Sequence, residues 1–235
     1  MKQSSLHRYN FYGRKRGKKL SKLQKYYITE FLPAIAPIGI SYADNPNREK
    51  ISFSNIFGSD CPVWIEVGFG GGEHLLSIAE KNTDIGFIGC EPYRNGVAML
   101  LPKLFLAKLT NVRILMDDAR ILFDVIPAGS VSKIFLLFPD PWPKQRHSAR
   151  RFINPERIRN MRQILKRNGL LYVATDAMLY VRHVLENVFK EEGFEWSAEH
   201  PEDWRKPWPG WQQTRYCKKA ILDGKKITYL VFRRI

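Results

Sequence analysis

Residues 64–73 read WIEVGFGGGE, an apolar strand that runs directly into a glycine loop and then into a helix. This order marks the ligand-binding position of a doubly wound α/β fold, where glycines let a ligand approach the backbone closely. It restricts what the chain can fold into more than any other feature. A structural turn without a ligand is the alternative, and three consecutive glycines at the end of a strand make it the weaker one.

Short apolar runs alternate with longer amphipathic segments from Pro62 onward. This alternation is typical of repeated βα units around a parallel sheet, so we predict a doubly wound, mostly parallel Rossmann-like α/β sheet with helices on both faces. Asn154 and Pro155 suit the cap and the first turn of one helix. The predicted strands are residues 63–67, 86–90, 112–116, 132–138, 170–175 and 228–232, and the predicted helices are residues 73–81, 95–107, 155–166 and 177–192.

The first 25 residues are strongly basic, and no acid precedes Glu30. Such a block predicts disorder in the free protein. Its two interpretations are an arm that clamps phosphates, which we favour, and a solvated tail. We expect this arm and a short helix over residues 20–32 to occupy residues 1–45, residues 41–59 to form a connecting segment, and the main domain to span residues 46–235. The basic residues are Lys2, Arg8, Arg14, Lys15, Arg16, Lys18, Lys19, Lys22 and Lys25.

Charge and residue types limit the partners and the compartment. The 38 Lys and Arg against 23 Asp and Glu give a formal net charge of +15, which favours nucleic acid over a merely basic soluble protein. Cys61, Cys90 and Cys217 form no C-x-x-C pair, so we predict no metal and no disulfide framework, as in a reducing cytoplasm. Residues 31–40 are apolar but too short to cross a bilayer, so we expect neither secretion nor membrane insertion.

The glycine loop distinguishes between two cofactors. The dehydrogenase pattern G-x-G-x-x-G contains Gly68 and Gly70 but fails at Glu73, and Glu66 places another carboxylate beside the loop. A pyrophosphate would face these like charges, whereas S-adenosylmethionine carries a sulfonium, an ammonium and no phosphate. A nicotinamide dehydrogenase is therefore a distant alternative.

Further acids follow the predicted strands. Glu91 ends the second strand, where a carboxylate accepts hydrogen bonds from ribose hydroxyls. After the third strand, we assign Asp118 to the adenine amino group and Asp117 to a helix cap or to solvent. Together with Glu66 and Asp140, these acids predict an acidic pocket at the carboxyl edge of the sheet, within a basic surround.

A proline-rich loop follows the fourth strand, because residues 138–151 read FPDPWPKQRHSARR. Three prolines in five residues hold Asp140 and Trp142 in one geometry. This motif, the EVGFGGG loop, Thr175-Asp176 after the fifth strand and the Thr214-Arg215-Tyr216 segment resemble the tRNA (guanine-N7)-methyltransferases. The resemblance extends from Pro62 to the end of the chain.

The resemblance implies the class I methyltransferase sheet and methyl transfer from S-adenosylmethionine, without a metal, to N7 of guanine 46 in the variable loop of tRNA, leaving S-adenosylhomocysteine. No obligate protein partner is evident. It implies cofactor contacts at Glu66, Gly68, Gly70, Glu91, Asp118 and Asp140, with Asp140 also catalytic. It implies substrate contacts at Lys144, Asp176, Thr214, Arg215, Tyr216 and Cys217, and RNA contacts at Arg146, His147, Arg150 and Arg151.

One position departs from the family pattern. The family usually places Glu after the Thr-x-[Phe/Tyr] segment, whereas this chain has Cys217 followed by Lys218 and Lys219. If that Glu normally binds the donor edge of the guanine, we expect Asp176 to carry more of the recognition here.

The chemistry fits this residue set. Guanine N7 has a lone pair and no proton, so its methylation needs alignment but no general base and no covalent nucleophile. Asp140 is placed to stabilise the positive charge that develops on the ring, and Asp176 to accept the N1 and N2 hydrogens. For Trp142, stacking on a base and packing within the loop are equal alternatives. C5 methylation of a pyrimidine would require a nucleophilic cysteine, and the loop contains none.

A basic stripe continues from the loop. Arg159, Arg162 and Lys166 are predicted beside the apolar face of the third helix, where we favour phosphate binding over a solvated surface. Two other functions stay open at this point: a methyltransferase with another acceptor, and a non-catalytic RNA-binding protein that keeps the fold.

Overall fold

The computed structural model describes residues 9–235, so Lys2 and Arg8 of the basic arm lie outside the described residues. Within these residues a seven-stranded sheet has the order β3-β2-β1-β4-β5-β7-β6. The first five strands are parallel, and β7 runs antiparallel to both β5 and β6. The strands are β1 Val63–Val67, β2 Gly86–Cys90, β3 Val112–Leu115, β4 Val131–Leu137, β5 Leu165–Thr175, β6 Phe194–Trp196 and β7 Thr228–Arg234.

Helices connect the strands and precede the sheet. A π-helical turn, Tyr27–Phe31, lies between the first two helices, and a 3-10 turn, Gln145–Arg150, follows the proline-rich loop. The α-helices are α1 Lys22–Tyr26, α2 Leu32–Ile35, α3 Phe53–Phe57, α4 Glu73–Lys81, α5 Arg94–Ala107, α6 Ala119–Phe123, α7 Pro155–Ile164, α8 Met178–Lys190, α9 Glu202–Arg205 and α10 Arg215–Leu222.

The sheet is covered on both faces, as predicted. Strand β1 shows why, because Ile65 and Val67 point into one apolar cluster while Trp64 packs against the other. The first cluster includes Ile158 of α7, and the second includes Leu101 of α5. Each large apolar side chain buried in this way contributes about 1.5–3 kcal/mol. Burial on both faces explains why the parallel strands are continuous apolar runs.

The third predicted helix, residues 155–166, is two residues longer than the observed α7, which ends at Ile164. Asn154 caps α7 as expected, accepting the Arg157 amide at 2.9 Å. Leu165, however, has the extended dihedral ψ of 140° and pairs with Val131 of β4. Lys166 therefore lies on β5, and the basic stripe of the helix keeps only Arg159 and Arg162. The structure also contains five elements that were not predicted from the sequence, namely β6, α3, α6, α9 and α10.

The N-terminal segment from Tyr9 to Lys19, here named the strap, has a defined path, which differs from the disorder predicted for it. Tyr9 donates to Asp124 at 2.8 Å, and Arg94 donates its amide to Lys15 O at 3.0 Å. Asn95 accepts the Gly17 amide at 2.8 Å and donates to Lys18 O at 2.7 Å. These bonds lay the strap across the start of α5. Among residues 9–235, no helix is long and apolar enough to cross a membrane.

Candidate active site

A cavity of about 630 Å³ opens at the carboxyl ends of β1, β2 and β4. This is the ligand-binding edge of an open α/β sheet, and the volume is within the range of about 300–1,000 Å³ typical of small-molecule sites. Residues 10–14 of the strap form part of its wall, together with Val67, Cys90 and Leu137 at the strand ends. The sequence pattern does not predict this part of the wall, although Phe11 and Tyr12 stand out as aromatic residues in a basic arm.

The glycine loop presents bare backbone to the cavity. Gly68, Gly70 and Gly72 have φ of +71°, +58° and +73°, a conformation that other residues rarely adopt. Gly68 and Gly70 line the cavity, and a Cβ at Gly68 would meet nothing within 4 Å. A Cβ at Gly96 would lie 2.3 Å from Gly70 O, so the start of α5 packs directly against the loop. The loop therefore leaves open space where a ligand can approach it.

Glu91 lies beside this loop, where the sequence predicts the ribose-binding acid. Its carboxylate accepts the Gly70 amide at 2.7 Å and the Tyr93 amide at 2.8 Å. Burial raises the pKa of Glu91, while these two hydrogen bonds act in the opposite direction. The side chain is thus fixed at the end of β2 and faces the cavity.

Asp118 also lines the cavity, as predicted. The cap of the following helix, however, is Asp118 and not its neighbour Asp117. Asp118 itself caps α6, accepting the Arg120 amide at 2.9 Å and pairing with the Arg120 guanidinium at 2.6 Å. Asp117, expected to be a helix cap or solvated, accepts the Asp118 amide at 2.8 Å. The cavity-facing carboxylate is therefore held rigidly by the helix that follows it.

Glu66 is separated from the other acids. Alternation along β1 points its side chain toward α4, where it meets His74 Nδ1 at 2.7 Å. Both side chains are buried, with 2% and 1% exposed. The structure does not bring Glu66 to the cavity wall, so the predicted direct cofactor contact has no support in this arrangement. His74 in turn packs against Trp211, with 5.7 Å between ring centroids.

The proline-rich loop carries two strained residues. Phe138 and Trp142 have φ of +50° and +41°, and each such non-glycine residue costs about 1–3 kcal/mol. Asp140 lies between them, exposed and on the cavity wall. Because backbone strain persists only where surrounding contacts hold it, this loop is a constrained element rather than a free connection.

Arg151 is the buried member of the predicted RNA contacts. Its side chain is 6% exposed, and it donates from Nε to Pro141 O at 3.0 Å and from Nη2 to Trp142 O at 3.1 Å. The guanidinium is thus bound to two carbonyls of the protein itself. This position gives no support to the RNA contact predicted for Arg151.

The remaining basic residues of this segment are accessible. Lys144 and Arg146 are exposed and lie outside the cavity wall. Arg150 lies on the wall, with its guanidinium 5.0 Å from the Trp142 ring and 5.1 Å from the Tyr12 ring. His147 packs edge-on against Trp142, and its pKa is lowered, first by burial and then by the neighbouring cations. The Trp142 ring is thus engaged within the loop, in line with its packing role.

The C-terminal segment divides between the cavity and the core. Thr214 is buried and caps α10, accepting the Cys217 amide at 3.1 Å. Arg215 and Tyr216 line the cavity, and Tyr216 stacks on Phe138 with 6.4 Å between centroids. The Cys217 side chain is buried and is not part of the cavity wall, so its position gives no support to the predicted substrate contact. Burial raises the pKa of this thiol, which lies against Trp211 and Tyr229.

Asp176 follows β5, as predicted, but lies away from the cavity wall. Its Oδ2 atom pairs with Lys225 Nζ at 2.8 Å. Of the predicted substrate-binding residues, only Arg215 and Tyr216 are therefore on the wall with Asp140.

The cavity is mixed in charge, whereas an acidic pocket was predicted. The reason is that the strap, the proline-rich loop and α10 all bring arginines to it. Such a wall suits a ligand that carries both signs of charge. The residues described from Tyr9 onward include no group of His, Cys, Asp and Glu that could hold a metal ion. The charged residues on the wall are the acids Glu91, Asp118 and Asp140 and the cations Arg14, Arg120, Arg150, Arg151, Arg157 and Arg215.

Comparison with known proteins gives consistent results. Residues 60–230 match a family model described as "Putative methyltransferase". The tRNA (guanine-N(7)-)-methyltransferase of Ruegeria pomeroyi is 50% identical over 97% of this chain and 95% of its own length. That of Roseobacter denitrificans is 48% identical over 99% of both chains. Among solved structures, the 16S rRNA methyltransferase KamB has a TM-score of 0.55 at 14% identity, covering 77% of this chain and 92% of its own, which shows the fold alone.

Proposed function

This chain belongs to the tRNA (guanine-N(7)-)-methyltransferase family, and on that premise we propose that it methylates N7 of guanine 46 in the variable loop of tRNA. It is an S-adenosylmethionine-dependent tRNA methyltransferase. The observation that carries the proposal is the position of Asp140, which lies on the same cavity wall as Glu91 and the glycine loop. This cavity brings the predicted catalytic residue next to the predicted cofactor site.

The residues of the cavity fit the cofactor. Bare backbone at Gly68 admits a ligand, and Glu91 is fixed where it can accept hydrogen bonds from ribose hydroxyls. We assign the adenine amino group to Asp118. When bound, S-adenosylmethionine supplies a methyl group on a positively charged sulfur, leaving S-adenosylhomocysteine. Carboxylates beside the loop favour this cation and disfavour a pyrophosphate.

Asp140 is the proposed catalytic residue. Because N7 already has a lone pair, no side chain needs to remove a proton, and the protein contributes alignment and electrostatic stabilisation. The Asp140 carboxylate can stabilise the positive charge that develops on the guanine ring. Cys90 also lines the cavity, but burial raises its pKa well above the ordinary range, which is unfavourable for a nucleophile.

Recognition of the base is assigned to the C-terminal segment and Asp176. Tyr216 presents a half-exposed ring on the cavity wall, suited to stacking on a base outside its helix. Lys225 occupies Oδ2 of Asp176, and we assign Oδ1 to the N1 and N2 hydrogens of guanine. Because Asp176 lies away from the cavity wall, we propose that it moves toward the cavity when it makes this contact.

The tRNA backbone is assigned to the exposed cations. Lys144 and Arg146 are exposed in the same loop as Asp140, and the net charge of +15 attracts phosphates over long distances. We propose that the reaction takes place in the cytoplasm, where tRNA and the methyl donor are both present, without an obligate protein partner. An assay with the purified chain alone tests the last statement.

The test is transfer of labelled methyl to unmodified tRNA, followed by nucleoside analysis. We expect 7-methylguanosine from the wild type, its loss in Asp140→Ala, and its retention in Asp84→Ala, the same change at an exposed acid outside the cavity wall. A tRNA with adenine at position 46 should not be methylated. Methylation of that tRNA would refute the position, and binding without any methylated nucleoside would favour the RNA-binding alternative.

A further inference from the structure

Arg151 ties together the two residues that follow Asp140. Its guanidinium donates to Pro141 O at 3.0 Å and to Trp142 O at 3.1 Å. These are the carbonyls directly after the proposed catalytic carboxylate, and Trp142 is one of the strained residues of the loop. A planar guanidinium offers two donors in a fixed geometry, so it restrains both carbonyls at once.

His183 of α8 contacts the same guanidinium and orients it. Nη1 of Arg151 lies 3.2 Å from Nδ1 of His183, and Nε2 of His183 lies 2.8 Å from Ile153 O. A carbonyl oxygen only accepts, so Nε2 must carry the proton and Nδ1 is free to accept from Arg151. Burial lowers the pKa of His183, the hydrogen bond to Ile153 acts in the opposite direction, and the positive Arg151 lowers it further. The pKa is lowered as a result, which favours the neutral ring that this arrangement requires.

Other groups around His183 are compatible with a fixed support. Tyr180 Oη accepts the Ile153 amide at 3.3 Å, and Asn187 Nδ2 lies 3.3 Å from His183 Nδ1. The charged groups that face the ring from its own helix are Glu186 and Lys190. The segment after Arg151 and the helix α8 are thus joined behind the proline-rich loop.

We propose that Arg151 is a positioning residue for methyl transfer, which sets Asp140 through the carbonyls of Pro141 and Trp142 while His183 orients its guanidinium. This inference rests on the proposed function. It assigns to Arg151 a role in the reaction geometry and not in RNA affinity. Arg146, exposed in the same segment, is the contrasting residue that is placed to meet a phosphate.

The experiment compares Arg151→Gln, Arg151→Lys and Arg146→Gln in the full chain. For Arg151→Gln we expect kcat to fall on the order of 100-fold, since a displacement of about 1 Å has this effect. Its affinity for S-adenosylhomocysteine and the salt dependence of its tRNA binding should stay as in the wild type. Arg151→Lys should recover part of kcat, because an ammonium can reach one carbonyl. Arg146→Gln should instead weaken tRNA binding and lower the salt slope by about 0.7–0.9.

Substitutions at His183 provide a second test that does not touch the loop. His183→Gln keeps one donor and one acceptor and should stay close to the wild type, whereas His183→Leu removes both and should lower kcat with KM for tRNA unchanged. In the wild type, protonation of His183 at low pH removes the acceptor for Arg151, so kcat should fall on the acidic side of its pH profile. This fall should be absent from the profile of His183→Gln, because glutamine does not titrate. Unfolding curves show whether Arg151→Gln is folded; if it is not, Arg151→Lys and His183→Leu carry the same comparison.

The outcomes separate the two proposals. A wild-type chain that methylates no RNA would contradict the proposed function. An active wild type together with an Arg151→Gln variant of full kcat and a reduced salt slope would overturn only the positioning role and restore the phosphate contact.

Discussion

The Glu91 carboxylate accepts the Gly70 amide at 2.7 Å, which ties the end of β2 to the glycine loop after β1. The two elements are neighbours in the sheet, and the hydrogen bond fixes the loop and the carboxylate relative to each other. A change at Glu91 should therefore affect both the loop and the cofactor.

The first prediction concerns Glu91→Gln. The amide keeps one acceptor but loses the charge and one of the two strong hydrogen bonds. A hydrogen bond to a charged group contributes roughly 1.5–3 kcal/mol. We therefore expect the affinity for S-adenosylmethionine to fall by about 10–100-fold. Calorimetric titration measures this. Glu80→Gln, an exposed glutamate on α4, is the matched control and should bind as the wild type. Equal affinity of the two variants would remove Glu91 from the cofactor site.

The same residue predicts a pH dependence. Burial raises the folded-state pKa of Glu91, so the folded protein holds this proton to higher pH than the unfolded chain does. The contribution of Glu91 to the free energy of unfolding is therefore present below the ordinary glutamate pKa and is lost as pH rises through the folded value. Urea unfolding between pH 4 and 7 should show the wild type losing stability relative to Glu91→Gln as pH increases. A constant difference would contradict it.

A second prediction concerns the buried pair of Glu66 and His74. Removing one partner leaves the other polar group buried without its hydrogen bond, so His74→Leu and Glu66→Leu should each lower the free energy of unfolding by about 3–5 kcal/mol. The double variant Glu66→Leu with His74→Leu should lose less, because no unpaired group remains. Denaturant unfolding measures both. If the double variant lost the sum of the two single losses, the two side chains would be energetically independent.

A third prediction concerns Cys217. Because its side chain lies in the core, Cys217→Ala should leave KM for tRNA unchanged and cost about 1 kcal/mol of stability. Steady-state kinetics and unfolding curves test the two parts. A tenfold increase in KM would show that the thiol contacts the substrate after all.

Thiol reactivity offers a fourth prediction. Burial raises the pKa of all three cysteines, most strongly that of Cys90. In the native protein, Cys90 and Cys217 should not react with a disulfide reagent near neutral pH, and the partly exposed Cys61 should react slowly. All three should react once the chain is unfolded in denaturant. Rapid native labelling of Cys217 would show that α10 opens readily.

A fifth prediction concerns the strap, whose residues 10–14 form part of the cavity wall. Asn95 holds it through Gly17 and Lys18, and each hydrogen bond contributes about 0.5–1.5 kcal/mol. Asn95→Ala should therefore increase the dissociation rate of S-adenosylhomocysteine several-fold in stopped-flow measurements. The control is Asn82→Ala. Asn82 directly follows α4, and its side chain donates to Ile78 O of that helix and not to the strap. Identical rates would show that the strap does not retain the ligand.

Much of this molecule follows from local sequence. An apolar run that ends in glycines can only become a buried strand and a left-handed loop, so β1, β2 and α4 were predicted to the residue. The position of Glu91 at a strand end follows in the same way. The family also follows from motifs that lie within short stretches of chain. These features depend on backbone propensity and on the order of elements, which the sequence states directly.

The directions of individual side chains were decided by the tertiary structure. Arg151 is basic and follows other cations, yet carbonyls from Pro141 and Trp142 and a histidine 32 residues later draw it inward. Glu66 turns away from the cavity because His74 lies on the helix that covers that face of β1. Cys217 is buried because its side chain lies against Trp211 and Tyr229. In each case the deciding partner lies on another element, and the free energy of burial and hydrogen bonding exists only once the elements have packed together.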